Sequence, residues 1–262
     1  MAGRPNRRQD TEAAGSFRPV VSERFRFVYA PVTKCGSSTL KAVIAGIHDL
    51  NRNGAGLMPD GPVPYAGPQS LQRGRELVSY EVFKRDAAEF HTAHSDYLWF
   101  TVVRHPYARA LSIYNYDLRK YAKWHAKGPY LAGSVSKFLA LASGRDRKRA
   151  QRNAIRRRIS FADFMHGLRS SGTGFDVHFV PQADLIFLDR VRYDHVLRLE
   201  TLSEELPALL TRLGVSQDKL DEILPIPRAN PSHPSGAVHD ERTRALVYEI
   251  YEKDFTGLGY VP

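Results

Sequence analysis

The sequence contains almost no cysteine and no long apolar run. Cys35 is the single cysteine among 262 residues, which excludes an intrachain disulfide framework and leaves no argument for an oxidising compartment. No apolar run approaches the ~20 residues that span a bilayer, and residues 1–16 lack the apolar h-region of a secretory signal. We therefore expect a cytoplasmic protein without a transmembrane segment, with a disordered tail over residues 1–20 and a single domain over residues 21–262.

Positive charge is in excess. Lysine and arginine number 38 against 28 acidic residues, which gives a formal net charge of +10 and favours anionic partners. The densest basic segment, residues 145–158, is either a solvated surface or an electrostatic guide for a polyanionic acceptor. Aromatic residues are not interleaved there in the way that base stacking requires, so we do not expect a nucleic-acid partner.

Local patterns predict strands that alternate with helices. Apolar runs predict strands over residues 25–30, 97–103 and 191–199. Helical spacing of apolar residues predicts helices over residues 39–50, 76–90, 106–124, 160–168, 203–213 and 240–255, with Ser203 as the cap of the fifth. Residues 51–70 and 225–234 are rich in glycine, proline or asparagine and are predicted loops. This order indicates an α/β fold, a central parallel sheet flanked by helices in three layers, with ligands bound beyond the carboxyl ends of the strands.

The first predicted strand ends in a turn whose residues favour an anion. This turn and the start of the next helix consist of Lys34, Cys35, Gly36, Ser37, Ser38 and Thr39. Helix amides and the helix dipole attract an anion, Gly36 permits close backbone approach, and Lys34 adds a point charge. A plain capped helix start would have a similar composition. The lysine precedes the glycine, and Pro31 stands where a Walker A motif has its first glycine, which argues against an ATP or GTP hydrolase.

The second predicted strand ends at another cation, Arg104. Pro106 begins the helix that follows, and Arg109 and Ser112 lie on its first two turns. The Arg104 guanidinium can bind a phosphate with two parallel hydrogen bonds, and Ser112 can donate another. Arg109 fits either a ligand contact or a structural ion pair.

Together the two turns resemble the cofactor-binding elements of sulfotransferases that use 3′-phosphoadenosine 5′-phosphosulfate. The second turn matches the family's Arg-x-Pro-x-x-Arg-x-x-Ser-x-Tyr element at every fixed position, namely Arg104, Pro106, Arg109, Ser112 and Tyr114. Residues 178–182, 193–202 and 251–260 are similar to the carbohydrate branch, sulfotransferase family 2. The chain departs from the family at Thr33, where proline is frequent, and it lacks the membrane anchor and cysteines of the Golgi members. It resembles a soluble, bacterial-type member.

The resemblance implies a P-loop-like fold and an enzymatic activity. A sulfuryl group would pass from 3′-phosphoadenosine 5′-phosphosulfate, without a metal ion, to a hydroxyl of a carbohydrate or glycoconjugate acceptor, which could itself be anionic. The first turn would bind the reacting 5′-phosphosulfate, and Arg104 with Ser112 would bind the 3′-phosphate. Lys34 would stabilise the charge that builds on the leaving oxygen.

The acceptor's proton requires a general base. His91 and His94 are the candidates, because some family members place a catalytic histidine upstream of the strand that ends at Arg104. His178 is interpreted as part of the substrate wall and His105 as structural. Cys35 is interpreted as a small side chain of the loop rather than as a nucleophile.

Two other functions remain open from the sequence. A kinase-like phosphoryl transferase would need a Mg²⁺-binding carboxylate and a Walker lysine. A non-catalytic polyanion-binding protein would rely on the net positive charge, and it would leave the paired strand-end motifs without a purpose.

Overall fold

The computed structural model describes residues 16–49, 77–79, 82–83, 86–125, 160–174, 176–224 and 240–262. The strands are β1 (Ser16–Phe17), β2 (Val20–Ser22), β3 (Phe27–Ala30), β4 (Leu77–Ser79), β5 (Val82–Phe83), β6 (Leu98–Val103) and β7 (His195–Arg198). The helices are α1 (Ser37–Ile47), α2 (Ala87–Ala93), α3 (Pro106–His125), α4 (Phe161–Ser171), α5 (Gln182–Leu185), α6 (Leu202–Arg212), α7 (Gln217–Ile223) and α8 (Glu241–Leu258). The predicted loops at 51–70 and 225–234 and the basic segment at 145–158 lie outside the described residues.

Five strands form the central sheet, in the order β4-β2-β3-β6-β7. β3, β6 and β7 are parallel neighbours, whereas β2 is antiparallel to both β3 and β4. Four strands therefore point the same way and β2 points against them. The predicted α/β class with a mostly parallel sheet is confirmed, and the antiparallel β2 was not predicted. A second pair, β1 with β5, is antiparallel.

The sheet is covered on both faces, because side chains alternate along each strand. Val28 and Ala30 of β3 enter one core, and Phe27 and Tyr29 enter another. The first core also contains Ile113 of α3, Met165 of α4 and Val247 of α8. The second contains Ile44 of α1, Leu209 of α6 and Leu220 of α7. The three predicted layers are therefore present, with the sheet in the middle.

The helix predicted over residues 76–90 is wrong in its first half. Residues 77–79 and 82–83 are strands, and α2 begins only at Ala87. Both strands owe their state to pairing with chain far away in sequence: Val78 lies opposite Val21 of β2, and Val82 opposite Phe17 of β1. An apolar segment this short fits the period of a helix as well as that of a strand. Pairing with β2 and β1 selected the strand here.

Most other predicted elements are confirmed within a few residues. Ser160 caps α4 with a reciprocal capping box, and the Asp240 side chain accepts a hydrogen bond from the Thr243 amide at the start of α8. The predicted cap Ser203 is wrong, because α6 begins at Leu202 after Thr201. The end of the predicted tail belongs to strands from Ser16 onward. The single domain stays a prediction.

None of the described helices is long and apolar enough to cross a membrane.

Candidate functional site

The two predicted turns lie side by side at the carboxyl edge of the sheet. β3 ends at Ala30 and β6 at Val103, and the two strands are parallel, with Ala30 opposite Thr101. The turn after each strand therefore leaves the same edge, and α1 and α3 begin there. An edge of this kind is where α/β sheets bind their ligands.

The first turn combines a left-handed backbone at two positions with an uncapped helix start. Lys34 (φ 68°) and Gly36 (φ 76°) both adopt the left-handed conformation, which strains any residue but glycine. A Cβ at Gly36 would lie 2.8 Å from Leu199 Cδ1. α1 follows directly, without a side-chain cap and without an acidic residue in its first turn. Its first amides have no intrahelical acceptor, so they and the helix dipole favour a bound anion.

Gln182 joins the two turns. In the sequence it stood out only as the last residue of the segment His178 to Gln182. The side chain is fully buried. Its Oε1 accepts hydrogen bonds from the Arg104 amide at 2.8 Å and the Cys35 thiol at 3.0 Å. Its Nε2 donates to the Arg104 carbonyl at 2.8 Å. The backbone of Arg104 is thus tied to the turn that carries Lys34.

Arg109 is a structural residue rather than a ligand contact. It is 1% exposed and lies 4.0 Å from the Asp254 carboxylate, which is itself buried. Its guanidinium donates to the carbonyls of Thr33 (3.1 Å), His178 (3.2 Å) and Val180 (2.9 Å). Arg109 therefore ties the first turn to the segment before α5, and the ion-pair alternative is the one the structure favours.

Arg104 lies next to this framework, and Ser112 lies on α3. Arg104 is half-buried, burial lowers the pKa of its guanidinium, and its Nη1 lies 3.5 Å from the Lys34 carbonyl. Because arginine remains charged even so, it brings a cation to the junction of the two turns. Ser112 is half-buried on α3, three residues after Arg109 and four before Tyr116, so these three residues share one side of the helix.

Lys34 and His178 both contact the aromatic ring of Tyr116. The Lys34 Nζ lies 4.2 Å from the centre of the Tyr116 ring, a cation–π contact. The same ring stacks on His178 with centroids 4.8 Å apart and an interplanar angle of 25°. His178 Nδ1 in turn lies 2.6 Å from Asp176 Oδ1. The predicted substrate-wall histidine and the predicted catalytic lysine therefore contact the same aromatic ring. Neither Tyr116 nor Asp176 was singled out from the sequence.

His91 and His94 are not brought to this site. Both lie at the opposite end of β6, whose six residues separate its two ends by roughly 17 Å. His91 Nε2 hydrogen-bonds the Arg192 carbonyl at 3.0 Å, and its ring packs on Trp99. His94 Nδ1 hydrogen-bonds the Phe90 carbonyl at 2.9 Å. The strand that follows them carries the chain away from them to Arg104, so both histidines lie far from the two turns.

Cys35 is held as a neutral thiol. It is completely buried, and burial raises its pKa to about 12 even though Arg109 and Arg104 are near. Since only the thiolate attacks electrophiles, the folded protein should resist iodoacetamide at pH 8, and labelling should begin when urea unfolds the chain. Rapid labelling without urea would contradict this expectation.

The raised pKa of Cys35 also means that the free energy of unfolding should fall as pH rises from about 9 toward about 12.

His105 packs as expected for a structural residue. Its ring stacks on Tyr107, meets Phe255 and Tyr260 edge-on, and has a pKa lowered by burial. Its backbone amide donates to Glu200 at 2.9 Å, which fastens the second turn to the end of β7.

Comparison with known proteins agrees with this geometry. The model of the sulfotransferase family matches residues 18–261. The chain belongs to the sulfotransferase family. This sulfotransferase-family chain is 24% identical over 241 residues to human carbohydrate sulfotransferase 9, an alignment that covers 91% of the chain and 48% of that protein. It thus spans about half the length of the curated relative it matches. No solved structure was found to match it significantly.

Proposed function

We propose that this protein transfers a sulfuryl group from 3′-phosphoadenosine 5′-phosphosulfate to a hydroxyl of a carbohydrate or glycoconjugate. The observation that carries this proposal is the adjacency of two cationic turns, cross-linked by Gln182, at the carboxyl edge of a parallel strand pair. Such an arrangement suits a donor with two separated phosphate groups. A nucleoside triphosphate, with its phosphates in one chain, would need only one of the turns.

Each turn takes one end of the donor. The first amides of α1 and the Lys34 side chain bind the 5′-phosphosulfate, since both supply positive charge at one helix start. Arg104 and Ser112 bind the 3′-phosphate, the guanidinium with paired hydrogen bonds and the hydroxyl with one more. Cys35 takes part through its backbone alone, because its thiol is buried and donates to Gln182.

The chemistry is direct in-line transfer. The acceptor oxygen attacks sulfur while the bond from sulfur to the 5′-phosphate oxygen breaks, and negative charge builds on that leaving oxygen. Lys34 and the α1 amides stabilise this charge from fixed positions, which is the largest contribution that a site of this kind can make. Because these cations come from the chain, we propose that no metal ion is needed.

The acceptor is proposed to be a sugar hydroxyl. Support comes from the printed name of the human relative, a carbohydrate sulfotransferase, and from the net charge of +10, which would attract an anionic glycan. A cytoplasmic location remains a prediction from the single, reduced cysteine.

The donor assignment can be tested by thermal shift with adenosine 3′,5′-bisphosphate. At a hundred times Kd, a ligand of the native state adds about 2.7 kcal/mol to the free energy of unfolding, so the wild-type protein should show a clear rise in Tm. Arg104→Ala should lose most of that rise, because it removes the guanidinium assigned to the 3′-phosphate. Arg24→Ala, at the exposed turn before β3 and hence at the far edge of the sheet, removes the same charge and should keep it.

A rise in Tm with ATP-Mg²⁺ or heparin, and none with the bisphosphate, would overturn the proposal. The first outcome would favour a phosphoryl transferase and the second a polyanion-binding protein.

A further inference from the structure

We propose that His178 is the general base of the transfer reaction and that Asp176 is its positioning residue. This assignment rests on the proposed function, since it names the group that takes the proton from the acceptor hydroxyl. It replaces both the substrate-wall interpretation of His178 and the two histidines predicted from the sequence.

The distances suit a base that acts on the acceptor beside Lys34. Lys34 Nζ lies 4.2 Å from the Tyr116 ring centre and the His178 ring centre 4.8 Å from it, so Nζ and the imidazole centre are at most about 9 Å apart. A base, an attacking oxygen, a sulfur with its leaving oxygen and a cation need about 3 Å for each of three gaps. An acceptor and a transferring group bound alongside the Tyr116 ring are therefore within reach of both side chains.

The contact with Asp176 sets the proton on the correct nitrogen. An ionised carboxylate can only accept hydrogen bonds, so at 2.6 Å from Asp176 Oδ1 the His178 Nδ1 carries the hydrogen. The lone pair is then on Nε2, which is the atom that can accept a proton from a substrate. The side chains of His178 and Asp176 are 22% and 30% exposed, which leaves them open to an acceptor.

The backbone of His178 is fastened to the first turn from two sides. Arg109 donates to the His178 and Val180 carbonyls and also to the Thr33 carbonyl, next to Lys34. The Thr33 hydroxyl donates to the Val177 carbonyl at 3.4 Å. Base and cation are therefore held by one hydrogen-bonded framework, as a fixed reaction geometry requires.

The proton and electron pairs balance along the reaction. Nε2 takes the hydroxyl proton as the bond from the acceptor oxygen to sulfur forms, and the bond from sulfur to the 5′-phosphate oxygen breaks. The phosphate leaves with that electron pair. Asp176 stabilises the imidazolium until its proton passes to water after the products leave.

Replacing His178 with phenylalanine tests the base. Phenylalanine keeps a ring to stack on Tyr116 and removes both nitrogens. We expect turnover, measured as release of adenosine 3′,5′-bisphosphate from the donor, to fall about 100-fold or more. A panel of neutral and anionic sugars serves as acceptor, and slow transfer to water gives every variant a baseline. The bisphosphate should still raise Tm as in the wild type. His166→Phe, on the exposed side of α4, is the matched control and should keep wild-type turnover.

The pH profile tests Asp176. The charged and titratable groups around the imidazole are Asp176 in its own segment, Lys34 on the first turn, and Tyr116 and Arg109 on α3. The Asp176 carboxylate is the nearest negative charge and stabilises the imidazolium. Asp176→Asn removes that charge. The fall in rate on the acidic side should therefore move to lower pH, and maximal turnover should drop about tenfold. An unchanged profile would show that Asp176 is only structural.

The outcomes separate the two levels of the proposal. The assignment of His178 as the base would be overturned if His178→Phe keeps near-wild-type turnover, or if a loss of bisphosphate binding accounts for its inactivity. Either result would leave the sulfotransferase assignment intact. A wild-type protein that neither gains Tm with the bisphosphate nor releases it from the donor would overturn both.

Discussion

Replacing Lys34 with glycine should lower turnover about 100-fold or more while the fold stays at least as stable. The side chain supplies the cation assigned to the leaving oxygen, and loss of a preorganised charge stabiliser has an effect of this size. Its backbone is left-handed, with φ at 68°, so glycine relieves strain that lysine bears. The measurement is kcat for release of adenosine 3′,5′-bisphosphate, together with Tm.

The glycine variant separates charge from conformation. Lys34→Ala keeps the strain and loses the charge, so both variants should lose turnover to the same degree. Lys253→Ala is the matched control, because that exposed lysine of α8 pairs with Asp184 at the surface. A Lys34→Gly protein that turns over within about threefold of the wild type would refute the role of the cation.

Replacing Asp254 with alanine should lower the free energy of unfolding by about 3–5 kcal/mol, the usual result of breaking a buried ion pair from one side. Asp254 is fully buried, and burial raises its pKa despite the nearby Arg109. Its carboxylate accepts from the Ala183 amide at 2.9 Å and from Gln182 Nε2 at 3.2 Å. Alanine leaves both donors and the Arg109 guanidinium unpaired on that side. Urea denaturation at neutral pH measures the loss.

A surface pair provides the contrast. Asp184→Ala breaks the exposed pair with Lys253 and should cost at most about 1 kcal/mol. Because Asp254 supports Gln182, which joins the two turns, Asp254→Ala should also weaken the rise in Tm that adenosine 3′,5′-bisphosphate produces. Similar losses for the two variants would contradict the idea that the buried pair holds the site together.

The sequence predicted the positions of the two cationic turns well because their signals are local. The first signal is a strand followed by Lys34, Gly36 and a helix start. The second is a strand followed by Arg104. Both are patterns of adjacent residues. Parallel strands place their carboxyl ends on one edge, and this is enough to predict that the two turns lie close together.

The structure does not bring the two predicted base residues to the turns, and the reason is equally physical. His91 and His94 are close in sequence to the strand that ends at Arg104, but they precede it, and the length of β6 puts them at the other edge. Nearness in sequence was taken as nearness in space. The strands at 77–79 and 82–83 were missed because their partners, β2 and β1, lie far away along the chain.

The sequence by itself determined the α/β class, the two cationic turns and the family resemblance, because strand, turn and helix signals act over a few residues. Only the tertiary structure decided which groups complete the site. Gln182 meets Cys35 from 147 positions away, and Thr33 meets Val177 from 144. Contacts of this length depend on how the whole chain packs, so Asp176, His178, Tyr116 and Gln182 come together around Lys34 and Arg104 only in the folded protein.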